Sequence, residues 1–240
     1  MLFLYLVLYI VIFLLLASWN ASIAIAFAFV TSILFRIYLP TIKGYIGEKR
    51  VNQVLRKLGD EYLIYHDLYV EKKDGKTAQV DHVVLSKYGI FVIETKNYKG
   101  WIFGNETQKN WTQVIYKKKT RFYNPILQNQ THIRALKAYL NMNVSFYSMI
   151  VFSNEATLKF ENNFLEAKVI KNNQLLKALR KFNTPQIPQQ QLNEIQQKMN
   201  TLIISDKKLK LKIKKNHIQQ RIYRSRTSRY TPHKELRTTK

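Results

Sequence analysis

The chain predicts an α/β protein in which helices cover both faces of a mixed central sheet, an α/β/α sandwich, behind an amino-terminal segment suited to a membrane. Three observations predict it. The runs TAQVDHVVLS (77–86), GIFVIETKN (89–97) and VSFYSMIVFSN (144–154) resemble strands of a sheet buried on both sides. The segments around them switch to helical spacing of apolar residues. From Met1 to Phe35 there is no charged side chain, and Leu, Ile, Val, Phe and Ala dominate.

That amino-terminal run would extend about 50 Å as one helix, against a hydrocarbon core of about 30 Å, so one long span competes with two short ones. Ser18–Ser22 is a plausible turn between Met1–Ala17 and Ile23–Leu39, which favours a helical hairpin with both ends on one side. A cleaved signal peptide is a poor reading, because the segment lacks a basic start and is too long. Arg36, Lys43, Lys49 and Arg50 follow the last apolar residues and, by the positive-inside tendency, place the large domain in the cytoplasm at the cell membrane.

Next, YIGEKRVNQVLRKL (45–58) carries Val51, Val54, Leu55 and Leu58 at helical spacing, with Glu48 three residues before Val51 on the core-facing stripe. A functional acid and a first-turn glutamate favoured by the helix dipole both account for Glu48. The two strands that follow form a hairpin. If its turn is the two-residue Lys87-Tyr88, Ser86 pairs with Gly89, and counting back sets Asp81 opposite Glu94 and Gln79 opposite Lys96. A four-residue loop preserves this pairing, and a three-residue loop shifts it unless a bulge intervenes. Val83, Leu85, Ile90 and Val92 then share the acids' face, with Val80, Val84, Phe91 and Ile93 opposite. The carboxylates and Lys96 could hold a divalent metal beside a phosphate; a structural salt bridge from Lys96 to either acid explains the pattern equally.

Asn124-Pro125 supplies an N-cap and a first-turn proline for a helix through ILQNQTHIRALKAYL (126–140), with Ile133, Leu136 and Leu140 as its apolar stripe. Gln128 and His132 lie one turn apart, able to face the acids or water, and His132 by itself reads as structural. A buried strand in 144–154, an AKVI strand (167–170) and a helix in NNQLLKALRKF (172–182) close the sandwich. Pro185, Pro188 and a glutamine run mark a boundary. Beyond it come a possible helix, QLNEIQQKMNTLI (191–203), and a basic tail with KKLKLKIKK and RIYRSRTSR. The organisation is an anchor (1–40), a catalytic-type domain (41–183) and a polar extension with a flexible basic end (184–240).

Charge narrows the partners: 39 Lys and Arg against 15 Asp and Glu give +24, which favours nucleic acid or anionic lipid, and the tail suits either. Between Tyr98 and Tyr123, the aromatics Trp101, Phe103, Trp111, Tyr116 and Phe122 interleave with Lys99, Lys109, Lys117, Lys118, Lys119 and Arg121. Aromatics stacking on bases with lysines on phosphates is one reading; aromatics packed on the sheet with solvated lysines is the other, preferred for the tryptophans. Cysteine is absent, so disulfides and thiolate metal sites are excluded. There is no Gly-rich phosphate loop, internal repeat or His-rich zinc pattern.

The segments GYIGEKRV (44–51), QVDHVVLS (79–86), YGIFVIETKNYKGW (88–101), WTQ (111–113) and NPILQNQTHIRAL (124–136) together resemble the nuclease-related domain (NERD) family, a branch of the PD-(D/E)xK restriction-endonuclease-like superfamily. The resemblance runs from Gly44 to Leu140. It implies a restriction-endonuclease-like sandwich with Asp81 and Glu94-Thr95-Lys96 at the superfamily's acid and acid-x-lysine positions, Glu48 at the first-helix glutamate and Gln128 at the second-helix glutamine. Val80 stands where the superfamily has its naming proline, a position without chemistry. The implied activity is Mg²⁺-dependent, or Mn²⁺-dependent, phosphodiester hydrolysis, with DNA the expected substrate. Asp81, Glu94, the Thr95 carbonyl and Glu48 would serve the metal, while Lys96 and Gln128 would serve water and phosphate. A non-catalytic nucleic-acid-binding scaffold and a peripheral lipid-binding factor are the alternatives.

Overall fold

A computed structural model of the chain describes residues 2–72, 74–160 and 164–203. The basic tail therefore lies outside the described residues. Helices α1 (Leu2–Trp19) and α2 (Ala21–Leu55) meet at Asn20, whose Oδ1 accepts from the Ser22 and Ile23 N–H groups and caps α2. They fold back on each other, with Tyr9 stacked on Phe27 at 5.5 Å and its hydroxyl 3.2 Å from Thr31 Oγ1. Ile25, Phe29 and Phe35 of α2 are exposed, and α2 is long and apolar enough to cross a membrane by length and composition. No break falls at the expected 40/41 boundary: α2 continues through Pro40 and becomes the first helix of the α/β region.

Among the described residues nine strands are found: β1 (Leu63–Glu71), β2 (Thr77–Ser86), β3 (Gly89–Lys96), β4 (Gly100–Phe103), β5 (Asn110–Ile115), β6 (Lys118–Tyr123), β7 (Phe146–Phe152), β8 (Ala156–Leu158) and β9 (Lys168–Lys171). Helix α3 (Pro125–Leu140) falls between β6 and β7, while α4 (Leu175–Leu179) and α5 (Gln189–Thr201) follow β9. Among the described residues a second mixed sheet, which was not expected, stands beside the expected mixed central one. One has the order β1-β2-β3-β7-β9, the other β6-β5-β4-β8.

The larger sheet is the middle of three layers. Val51 and Leu55 of α2, with Leu175 and Leu179 of α4, pack on Val84, Phe91, Ile93 and Val151. Leu136 and Leu140 of α3, with Ile195 and Met199 of α5, pack on Val83, Leu85, Ile90 and Val92. One placement differs from expectation. Val80 joins the α3 and α5 side with Val83, because the pleat is interrupted beside it: Asp67 on β1 has a left-handed φ of 58°, and residue pairing skips Asp67 and Asp81.

The smaller sheet lays one face on the rest of the fold. Ile102, Trp111 and Ala156 point inward and meet Ile126, Ile150 and Phe152. Asn124 joins this sheet to α3: its Oδ1 caps Ile126 N–H, while its Nδ2 donates to the carbonyls of Asn105, Glu106 and Gln108 at 3.2, 3.0 and 2.8 Å. Pro125 occupies the first turn, where its missing N–H costs no hydrogen bond.

Candidate functional site

The Lys87-Tyr88 turn sets the site's register. Pairing runs from Ser86↔Gly89 to His82↔Ile93 and then lapses at the polar end. There the Asp81 Oδ2 accepts the Thr95 N–H at 2.9 Å, so a side chain takes a position the ladder has vacated. On the other side β3 stays zipped to β7, with Glu94↔Ile150 and Lys96↔Phe152 in register. One edge of β3 is thus anchored and the other is open to side-chain chemistry.

Glu94 is 2% exposed and both its carboxylate oxygens are engaged. Lys96 Nζ donates to Oε1 at 2.6 Å, and His132 Nε2 lies 3.2 Å from Oε2. Burial alone would raise the Glu94 pKa, but the Lys96 ammonium and the His132 hydrogen bond outweigh it and lower the carboxyl to about 2. Burial likewise works against the charge on Lys96, yet Glu94 and neighbouring groups raise its pKa, so Lys96 is a cation at neutral pH. Gln128 Oε1 accepts from Lys96 at 3.0 Å, bringing α3 into the cluster.

Asp81 has the opposite balance. Burial first, then the charges of Glu94 and Glu48, push its pKa well above the ordinary carboxylate value, against the Thr95 N–H and Lys96. Glu48 is half-buried and electrostatically coupled to Asp81, whereas Gly47 is the residue that packs with Val51 and Leu55 along the α2 stripe. Gly47 is dictated by space, since a Cβ there would sit 2.5 Å from the Asn97 Cβ. Asn97 in turn donates from Nδ2 to the Lys43 carbonyl at 2.7 Å, tying the end of β3 to α2.

An acid disfavoured by two neighbouring acids is what a hard divalent cation would relieve, and carboxylate oxygens suit Mg²⁺ or Mn²⁺. Asp81 and Glu94 fit such an ion by donor chemistry. Among the described residues, however, no three His, Asp or Glu side chains are gathered as a ready metal centre. Binding would have to draw Glu94 from Lys96 or His132. A cleft of about 220 Å³ opens at the carboxyl ends of β3 and β7, lined by Gly47, Arg50, Thr95, Lys96 and Ser153 among others.

The sequence-predicted residues are thus partly united. Hydrogen bonds join Asp81 to the Thr95 N–H and Lys96 to Glu94 and Gln128, while the charges of Glu94 and Glu48 act on Asp81. The basic candidates belong elsewhere: Trp101, Lys118, Lys119 and Arg121 lie on the smaller sheet, Lys117 in its β5–β6 turn, and Lys99 and Lys109 just before β4 and β5. Trp111 is fully buried and Trp101 is 53% exposed, so the two tryptophans have different jobs.

His132, read from the sequence as structural, is a member of the cluster; its place one turn after Gln128 was the available signal. Asn129 gave none. Its buried Nδ2 donates to the Val92 carbonyl and Ser148 Oγ, both at 2.8 Å, and pins α3 across β3 and β7.

The sequence model of the nuclease-related domain family (NERD) matches residues 43–153. A Bacillus anthracis protein described only as uncharacterised is 35% identical over 184 residues, covering 76% of this chain and 85% of its own length. No solved structure matches the chain.

Proposed function

Because the chain belongs to the nuclease-related domain family, we propose that it is a membrane-tethered, metal-dependent nuclease that hydrolyses phosphodiester bonds in DNA. The observation that carries the reading is the cluster of buried Glu94 with half-buried Asp81, Lys96 and Gln128 at the unzipped end of the β2–β3 hairpin. A structural ion pair would need only Lys96 and Glu94; Asp81, beyond accepting the Thr95 N–H, adds a second carboxylate whose charge is disfavoured where it stands, which supports a cation site.

Asp81 and Glu94 would hold Mg²⁺ or Mn²⁺ with the Thr95 carbonyl, and Glu48 would hold a second ion or a bound water. Such an ion would polarise the phosphoryl oxygen and acidify a water. Lys96, kept protonated beside Glu94, is suited to donate hydrogen bonds to the attacking water or to charge developing on phosphorus, and not to act as a base. Gln128 steadies that ammonium from α3, and His132 orients Glu94. Water adds to phosphorus, the ester P–O bond breaks, and the departing oxygen takes a proton.

Helices α1 and α2 would form the membrane tether, and positive charge after Phe35 would keep the catalytic region on the cytoplasmic side. The rival reading, a nucleic-acid-binding scaffold without turnover, draws on the engagement of both Glu94 oxygens. Cleavage of single- and double-stranded DNA by the purified full chain, with Mg²⁺ or Mn²⁺ and beside Asp81→Ala and Lys96→Ala, separates the two. Parent activity abolished by both substitutions supports hydrolysis at this site. No cleavage, with DNA binding unaffected by either substitution, supports the scaffold.

A further inference from the structure

The smaller sheet packs its core with one face and leaves the other without cover among the described residues. Register assigns the side chains of that outer face. Trp101, Val114 and Lys119 form one rank across β4, β5 and β6, and Phe103, Thr112 and Arg121 form the next. Tyr123 continues the β6 side two residues beyond Arg121. Trp101, Phe103 and Tyr123 are 53%, 39% and 46% exposed, while Ile102 and Trp111, on the inner face, are fully buried. Lys159 Nζ lies 5.6 Å from the Trp101 ring centre, and Trp101 meets Phe103 edge to face at 6.4 Å. The four strands contain no Asp or Glu.

Packing does not explain these rings, because the opposite face does the packing. Their chemistry is that of a surface for bases and phosphates: π faces that reward stacking, ranked with Lys119, Arg121 and Lys159, which reward negative charge. A duplex offers such a surface its phosphates alone, since its bases are stacked on one another. A single strand offers both. The face also begins close to the cluster in the chain, with only Asn97–Lys99 between Lys96 and β4.

We propose that the outer face of the smaller sheet is a stacking platform for single-stranded nucleic acid, which makes a single strand the substrate class of the nuclease; the latter part rests on the function proposed above. The test uses the full chain in zwitterionic nanodiscs, with EDTA present to prevent turnover, and fluorescence anisotropy of a labelled oligodeoxynucleotide and of its duplex. The single strand binds about tenfold more tightly than the duplex, and Trp101→Ala lowers single-strand affinity about tenfold while duplex affinity changes less than about twofold. Trp101→Phe keeps most of the affinity because it keeps a π face. Arg121→Ala weakens both substrates alike and flattens the salt dependence.

Equal losses for both substrates on Trp101→Ala, or no loss, would overturn the platform. So would loss of binding to phosphatidylserine vesicles by Trp101→Ala with DNA affinity unchanged, which would reassign the face to a lipid surface. Adding Mg²⁺ separates this inference from the one beneath it. Ring-dependent preference for single strands without cleavage supports the platform and ends the nuclease reading; cleavage whose strand preference ignores Trp101→Ala ends the platform alone.

Discussion

Replacing Asp81 by Asn should make the protein more stable in the absence of divalent metal. The amide keeps an oxygen for the Thr95 N–H, so the substitution removes a charge and little else. At an effective dielectric of about 20, a like charge about 6 Å away repels by about 3 kcal/mol. Glu94 and Glu48 both repel Asp81, Lys96 attracts it, and burial adds to the penalty. Set against the loss of about 1 kcal/mol from a charge-assisted hydrogen bond, the expected gain is about 1–2 kcal/mol, or roughly 4 °C in Tm. The sign follows from linkage: a carboxyl with its folded pKa raised costs stability above its unfolded pKa, and the cost disappears as pH falls below both values. The assay is thermal and urea unfolding of the full chain at neutral pH in EDTA, read by tryptophan fluorescence. Titrating Mg²⁺ should then stabilise the parent by mass action and the variant much less. A variant less stable than the parent by more than about 1 kcal/mol in EDTA would refute the reasoning, making Asp81 a structural anchor.

Three further outcomes follow from other parts of the fold. Gly47→Ala should cost about 1–3 kcal/mol, seen as a lower urea midpoint, because the new methyl meets Asn97 before α2 can seat on β3. His82 is buried; burial first, then the charge of His66, depress its pKa from 6.5 to about 4. Its stability contribution is complete above the unfolded value and is lost as pH falls from 6.5 to 4, about 3 kcal/mol in all, so His82→Phe should flatten the unfolding profile in that window. Trp111→Ala should cost about 3–5 kcal/mol, whereas Trp101→Ala should fall within about 0.5 kcal/mol of the parent by the same unfolding measurement.

The hairpin was legible because a two-residue turn leaves one register, and the buried apolar runs of β2 and β3 make a slip costly. The start of α3 was legible for a local reason too, Asn124 and Pro125 being chemistry that suits one end of a helix. Strand β1 was not foreseen. Its left-handed Asp67 breaks the alternation that advertises a strand, and its pairing with β2 is a long-range fact. The second sheet was hidden for a similar reason: β4 and β8 are four and three residues long, too short to show a period, and they pair across more than fifty positions. Within the site, the acids and Lys96 were visible as types at fixed spacing. That Gly47 and not Glu48 is the close-packed residue depends on Asn97, which no local pattern connects to α2.

The unbroken course of α2 has a mechanical consequence. Phe35, at the apolar end, and Glu48, beside the candidate site, lie on one helix, with Pro40 and no loop between them. On the tethered reading, the height of the site above the bilayer and the compass direction it faces are set together by helical phase. One residue inserted between Arg36 and Lys43 would lift the catalytic region by about 1.5 Å and turn it by about 100°. Four residues would lift it by about 6 Å and nearly restore its bearing. A lengthening series in this stretch would therefore vary activity periodically on membrane-proximal DNA if bearing controls access, and monotonically if height does.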